Sequence, residues 1–307
     1  MSVSWPRSDV CILIATIEER RVLLHGVEGE QLDTSIASLA SQEPGAWPVR
    51  YGYCLVGRVE AASRLAAGSR VVCFHPHASA AVVAESDALS IPDDVGDEDA
   101  AFFPNILVTA CSLVQDAAPV LGDRVAVFGA GVVGSLVAAV LCHGRQAVAV
   151  AEPRPERLRP LLAALPAAEG LACARGEWIS CGTGGRRAGH LGGGRVVVGS
   201  LYGEQGAMLP LGLRFHRSEM TLVASQVSRV AAPLSTRWSK GRRAELAWEM
   251  LRPPKVSRPQ RCTLGAKPVR ALRPASWVPM RRHPVEQAAG VYARLAGGSP
   301  PAQLLFT

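Results

Sequence analysis

The sequence predicts an α/β protein, a doubly wound parallel sheet preceded by a β-rich region. Three observations carry that expectation. Residues 121–152 run as apolar strand, glycine turn, helix, second strand and terminal acid. Residues 55–92 hold short apolar runs separated by turn residues. Beyond residue 153, a helical stretch is followed by valine-rich strand candidates, as in βαβ architecture.

In chain order, Val10 to Ile17 and Arg21 to Leu24 read as strands, followed by Leu55 to Glu60 and Ser69 to Phe74. Ala80 to Ala84 and residues 88–92 read as the end of a small barrel. Asp97 to Ala101 opens a helical region that continues through Ile106 to Ala117.

Val125 to Phe128 is an apolar run after a charged turn, the pattern of a strand buried on both faces. Gly129, Gly131 and Gly134 follow in G-x-G-x-x-G spacing, with Ala130, Val132 and Val133 between them. In that motif the first glycine permits a tight turn, the second admits a pyrophosphate, and the third lets helix pack on strand. Ser135 to Leu141 is small and apolar, and Gly144 stops the helix. Ala147 to Ala151 reads as the second strand, and Glu152 lies 18 residues after Gly134, where a carboxylate accepts ribose hydroxyls. The unit as a whole points to dinucleotide binding. A doubly wound domain that keeps the turn and binds nothing is the alternative.

Pro155 to Leu165 reads as a helix, and the run from Gly194 as a buried strand ending at Gly199 and Ser200. Met220 to Gln226 reads as a strand, and Arg242 to Leu251 as an amphipathic helix with Leu246, Ala247, Met250 and Leu251 on one face. A helix from His283, with Pro284 in its first turn, and a strand at Gln303 to Phe306 close the chain. Two stretches lack a hydrophobic period. Residues 166–195 are rich in Gly and Arg, with Glu177 to Cys181 the best strand candidate, and residues 253–283 are rich in Pro and Arg. Each reads as a long loop or as a locally shifted reading frame.

Composition bounds the function classes. The 307 residues are 48% hydrophobic, enough for two domains, and no apolar run reaches the length of a membrane span. The N-terminus lacks the form of a signal peptide, so a soluble, cytoplasmic protein without membrane partners is expected. The net charge of +7 is local: residues 253–283 carry eight Lys and Arg and no acid. No helix-turn-helix or zinc-finger pattern accompanies them, so a basic loop is expected and no nucleic-acid partner. The eight cysteines are widely spaced without C-x-x-C, the pattern of free thiols in a reducing compartment.

From Trp47 onward, outside the two poor stretches, the chain resembles the medium-chain dehydrogenase/reductase superfamily, the zinc-type alcohol dehydrogenases and their relatives. Pro48-Val-Arg-Tyr-Gly-Tyr-Cys-Leu-Val-Gly-Arg-Val-Glu resembles the Gly-His-Glu-x-x-Gly-x-Val segment, and Ala67-Ala-Gly-Ser-Arg-Val-Val-Cys the Gly-Asp-Arg-Val strand. Thr109-Ala110 stands where the superfamily has its Thr-Ala helix, and Val196-Val-Val-Gly-Ser-Leu-Tyr-Gly also fits. Phe74-His-Pro-His, Leu201-Tyr-Gly and Ser225-Gln-Val-Ser are similar to a bacterial subgroup of bacteriochlorophyllide-type dehydrogenases.

The resemblance implies a GroES-like β-barrel catalytic domain at residues 1–104 and 284–307, a Rossmann domain at 105–252, and an irregular basic segment at 253–283. It implies hydride transfer between a nicotinamide cofactor and a small alcohol or carbonyl substrate, in a homodimer formed through the strand near Met220 to Gln226. An enoyl or quinone-type reductase and a non-catalytic dinucleotide-binding protein are the alternatives. Where the superfamily has zinc ligands, this chain has Tyr53 and Asn105, and no cysteine stands near Leu32. Catalytic zinc takes three protein ligands from thiolate, imidazole or carboxylate, so no zinc is expected. Tyr53 is then the first candidate to polarise a carbonyl and His77 the second; each also reads as a core residue. Asn105 reads either as a substrate-orienting amide or as a helix cap. Thr109, Gly199 and Ser200 stand at cofactor positions. Glu152 favours NAD; Arg154 and Arg157 would favour NADP if the carboxylate turned away.

Overall fold

The computed structural model describes residues 2–4, 52–171, 194–199, 211–212, 214–217, 219–253, 271–284, 287–296 and 303–306. In chain order the strands are β1 (Ser2–Ser4), β2 (Leu55–Ala61), β3 (Arg70–Cys73), β4 (Ala80–Val82), β5 (Leu89–Ser90), β6 (Arg124–Phe128), β7 (Ala147–Ala151), β8 (Ala168–Leu171), β9 (Arg195–Val198), β10 (Thr221–Ala224), β11 (Met280–His283) and β12 (Gln303–Phe306). The helices are α1 (Asp97–Ala100), α2 (Val108–Ala117), α3 (Val132–His143), α4 (Pro155–Ala164), α5 (Lys240–Leu251), α6 (Pro274–Trp277) and α7 (Ala288–Ala296), with a short turn of helix at Arg214–Arg217. The chain divides into two compact units, residues 1–105 with 248–307, and residues 106–247.

In the first unit β2 is buried on both faces at Leu55 to Gly57 and alternates only from Arg58 onward, and it pairs antiparallel with β1 and β3. The five-stranded sheet has the order β4-β1-β2-β3-β5 and buries Leu55, Val56, Val59, Val71 and Val72. Acids at 94–99 gather four arginines: Asp94 pairs with Arg252, Asp97 with Arg70, Glu98 with Arg282 and Asp99 with Arg273. Asp99 also accepts the Ala275 N–H at 2.9 Å, serving the first turn of α6 from outside the helix. β11 and β12 form a parallel pair. Two expectations from sequence fail in this unit. Residues 274–277 and 280–283, inside the segment read as irregular, form α6 and β11. The helix read from His283 begins at Ala288 instead, because His283 is held in the β11–β12 ladder.

In the second unit β6, β7 and β8 are parallel in that order, and β9 pairs parallel with β10. α3 supplies the cover: Leu136, Ala138, Ala139, Val140 and Leu141 are all buried, as a small-residue helix packed on a sheet requires. β8 lies in the stretch read as structureless. The strand candidate Glu177 to Cys181, like Val10 to Ile17 and Arg21 to Leu24, lies outside the described residues. The expectation that Val125 to Phe128 is buried on both faces does not hold, since within it only Val127 is buried and Ala126 is exposed. β6 pairs with β7 on one edge, and no described residue pairs with its other edge. Among the described residues no helix is long and apolar enough to cross a membrane.

Candidate functional site

The glycine turn grows directly out of the β6–β7 ladder. The Gly129 N–H donates to the Ala151 carbonyl at 2.8 Å, extending the pairing one step past β6. Gly129 then takes a φ of 102°, a conformation open to glycine at little cost, and the chain reverses into α3. A Cβ at Gly134 would collide with the Gly129 carbonyl oxygen, so the third glycine of the motif lets the helix lie against the turn. A Cβ at Gly131 would meet nothing within 4 Å, leaving open space in front of the turn. Gly131 caps α3 without a side-chain hydrogen bond, so the first-turn N–H groups, at Val132 and Val133, have no side-chain acceptor. Uncapped N–H groups and the helix dipole together form an anion-binding terminus.

Glu152 follows β7, but its carboxylate faces inward. Oε2 accepts the Ala130 N–H at 3.0 Å, and Oε1 accepts the Arg154 backbone N–H at 3.1 Å and its Nε–H at 2.8 Å. The Glu152 side chain is 0% exposed. Burial pushes its pKa up, but the bonds from Arg154 and Ala130 outweigh this and hold it below the usual carboxylate value. Arg157 lies half-buried in the first turn of α4, Thr109 half-buried at the start of α2. Gly199 follows β9, and a Cβ there would press on Leu113 of α2 at 2.5 Å. Ser200 lies outside the described residues.

In the barrel unit, Tyr53 is buried and Gly52 before it has φ 139°. A Cβ at Gly52 would collide with the His77 imidazole, so ring and turn are packed against each other. Burial, with His75 adding to it, pushes the His77 pKa down to about 3. A neutral imidazole so reluctant to take a proton is a poor general base, and the packing reading of His77 gains over the catalytic one. Asn105 sits in a π-type turn, Phe103–Leu107, and is half-buried. The helix-cap reading fails for it: α2 begins after Leu107 and no side chain caps it. Its carboxamide makes no hydrogen bond with any described residue. Phe103 of the same turn stacks on Trp248, centroids 3.9 Å apart and planes 15° from parallel.

The resemblance puts Tyr53 and Asn105 at two of the superfamily's zinc-ligand positions, and the third, near Leu32, lies outside the described residues; among the described residues no three His, Cys, Asp or Glu side chains converge.

Sequence reasoning missed the polar cluster of the second unit. Arg243 is buried, donating from Nε to Gln115 Oε1 (2.8 Å), from Nη1 to the Val227 carbonyl (3.0 Å) and from Nη2 to the Arg229 carbonyl (3.1 Å). Asp116 accepts Ser225 Oγ–H at 2.5 Å through its carboxylate and Arg195 Nε–H at 2.7 Å through its backbone carbonyl. These bonds tie α2, β9, the β10 end and α5 together.

No protein-family model matches the chain, and no curated protein sequence matches it. Solved structures do. Galactitol-1-phosphate dehydrogenase from Escherichia coli superposes with a TM-score of 0.66 at 15% identity, over 99% of this chain and 92% of that one. The yhdH oxidoreductase from Salmonella enterica in complex with NADP gives 0.60 at 18% identity, over 100% and 90%. The quinone oxidoreductase from Thermus thermophilus, also determined with NADPH, gives 0.56 at 20% identity, over 99% and 94%. The chain therefore has the fold of medium-chain dehydrogenases and reductases, α/β with a Rossmann domain and a GroES-like barrel.

Proposed function

We propose that this protein is an NAD(P)-dependent oxidoreductase that transfers hydride between the nicotinamide and a small alcohol or carbonyl substrate without catalytic zinc. The observation that carries the reading is the glycine turn: closed against α3 at Gly134, open in front of Gly131, and followed by an uncapped helix terminus. These residues suit a dinucleotide pyrophosphate. The cofactor, when bound, supplies the hydride acceptor or donor.

The chain's own residues then have defined tasks. N–H groups at the start of α3 hold the pyrophosphate, and Val132, Val133 and Ala130 shape the turn around it. Tyr53 and Asn105 are the groups we assign to the substrate oxygen, the phenol as a donor and the carboxamide as an orienting partner. His77, held neutral under Gly52, positions the Tyr53 turn rather than moving a proton.

Titration of the purified protein with NADH and NADPH, followed by nicotinamide fluorescence, tests the reading. Saturable binding of at least one, followed by turnover of a small alcohol, aldehyde or ketone that a chelator leaves unchanged, is expected. A folded protein that binds neither would end it. A second reading is a non-catalytic dinucleotide-binding protein, since among the described residues β6 has no partner on its second edge. Tight binding with no turnover across alcohols, aldehydes and enones would select that one.

A further inference from the structure

We propose that the second unit holds a buried water site between α2 and α5, in which an ordered water joins Ser112 Oγ, Gln115 Nε2 and the spare N–H groups of Arg243.

Ser112 and Gln115 stand at i and i+3 on α2, so their Cβ atoms lie about 5–6 Å apart on one face. Side chains on a helix lean towards its N-terminus, which carries the Gln115 carboxamide back over the turn that holds Ser112. Ser112 is 0% exposed, and its Oγ has no hydrogen-bond partner among the described residues. Gln115 Oε1 accepts Arg243 Nε–H at 2.8 Å, which fixes the orientation of the amide. Its Nε2, also shut off from solvent, has no acceptor among the described residues. Arg243 is buried and has five N–H groups, of which Gln115, Val227 and Arg229 take three. No described residue takes the other two. Orphaned buried groups are rare in native proteins, because nothing offsets their lost hydration. Two orphaned side chains one turn apart, with a third half-satisfied beside them, point to a shared partner.

Asp116 narrows the chemistry of that partner. Its carboxylate accepts Ser225 Oγ–H at 2.5 Å and attracts the Arg243 charge, yet no direct hydrogen bond joins it to the guanidinium. Opposite charges that act on each other without touching are the arrangement a water completes. An anion would meet the Asp116 carboxylate and the C-terminal half of α2, where the helix dipole is negative. A cation would meet the amide and guanidinium N–H groups. A water is neutral, accepts from Gln115 Nε2 and Arg243, and donates to Ser112 Oγ. Two hydrogen bonds of about 2.9 Å each match the separation of one helical turn. Buried waters make about three such bonds, the number these groups offer.

The test is a crystal structure of the full native chain, beside the stability of Ser112→Ala. Density for a water within about 3.2 Å of both Gln115 Nε2 and Ser112 Oγ is expected, with no anomalous peak there after a bromide soak. A bromide peak would make the ligand an anion and overturn the assignment. A side chain of this chain seated on the two atoms, or no density at all, would overturn it too. Ser112→Ala adds a sign. Deleting a hydroxyl that holds a water removes a hydrogen bond, so the unfolding equilibrium constant should rise about tenfold. Deleting an orphaned hydroxyl would leave that constant unchanged or lower it, which contradicts the water. If Ser112→Ala does not fold, the density in the native protein decides alone.

Discussion

Arg243 shows where residue type misleads. Arg243, Ala247, Met250 and Leu251 stand at i, i+4, i+7 and i+8 on α5, and all four are buried. The helix face was legible from its last three members; the fourth was hidden because a guanidinium is read as solvated. Its acceptors are a side chain and two carbonyls in distant segments, which no local pattern announces. Arg243→Met keeps the bulk but leaves Gln115 Oε1 and the carbonyls of Val227 and Arg229 without their donor. Loss of about 3 kcal/mol or more is expected, seen as a lower urea midpoint at unchanged m-value; a loss under about 1 kcal/mol would mean that water takes over the bonds. His77 gives a pH effect of known sign. Its folded pKa, about 3, lies below its unfolded value of 6.5. Above the unfolded value both states are neutral; below it the unfolded chain takes a proton that the native protein refuses. Stability therefore falls as pH drops below about 6.5, by up to about 1.4 kcal/mol per pH unit from this group. His77→Asn should remove that part of the difference between denaturation midpoints at pH 7 and pH 5. An unchanged difference would show that His77 titrates normally.

At the scale of elements, the β6-turn-α3-β7 unit was legible almost to the residue, because Gly129 is required by its positive φ and Gly134 by the close approach of helix to turn. Less legible were β8 and β11, four-residue strands whose Ala-Glu-Gly-Leu and Met-Arg-Arg-His sequences have low strand propensity and are defined by the neighbours they pair with. Two-face burial was inferred from the composition of β6, but Ala126 is exposed; on the second edge of β6 no described strand lies. This has a measurable consequence. The Gly129 N–H bonds to Ala151, and in a parallel strand alternate residues face the same neighbour, so Val125 and Val127 point their N–H groups at β7 and Ala126 and Phe128 point theirs away. Residue-resolved hydrogen exchange should find Val125, Val127 and the amides of β7 protected, with Ala126 and Phe128 exchanging much faster. Equal protection along β6 would reveal a further strand on that edge.

For the whole molecule, charge and association decide what the protein meets. The basic segment reads as a loop without a nucleic-acid partner, and two of its eight cations, Arg273 and Arg282, are paired with Asp99 and Glu98. The Arg282–Glu98 pair is partly exposed and adds little stability, yet both pairs lower the local potential that would draw nucleic acid. Association has a sharper structural handle. Thr221 N–H donates to the Gly194 carbonyl and Ser225 N–H to the Val198 carbonyl, so the odd-numbered residues of β10 face β9. Leu222 and Ala224 therefore present their N–H and C=O groups to the other edge, which no described strand covers, and the Leu222 side chain is 38% exposed. An open edge with an apolar side chain is a template for a second copy, antiparallel across a two-fold axis. We expect light scattering to give a homodimer of twice the protomer mass. Leu222→Pro deletes one edge donor and leaves the β9 ladder untouched, so it should yield a folded monomer with an unchanged circular dichroism spectrum. A native monomer, or a dimer that survives Leu222→Pro, would place any self-association elsewhere on the surface.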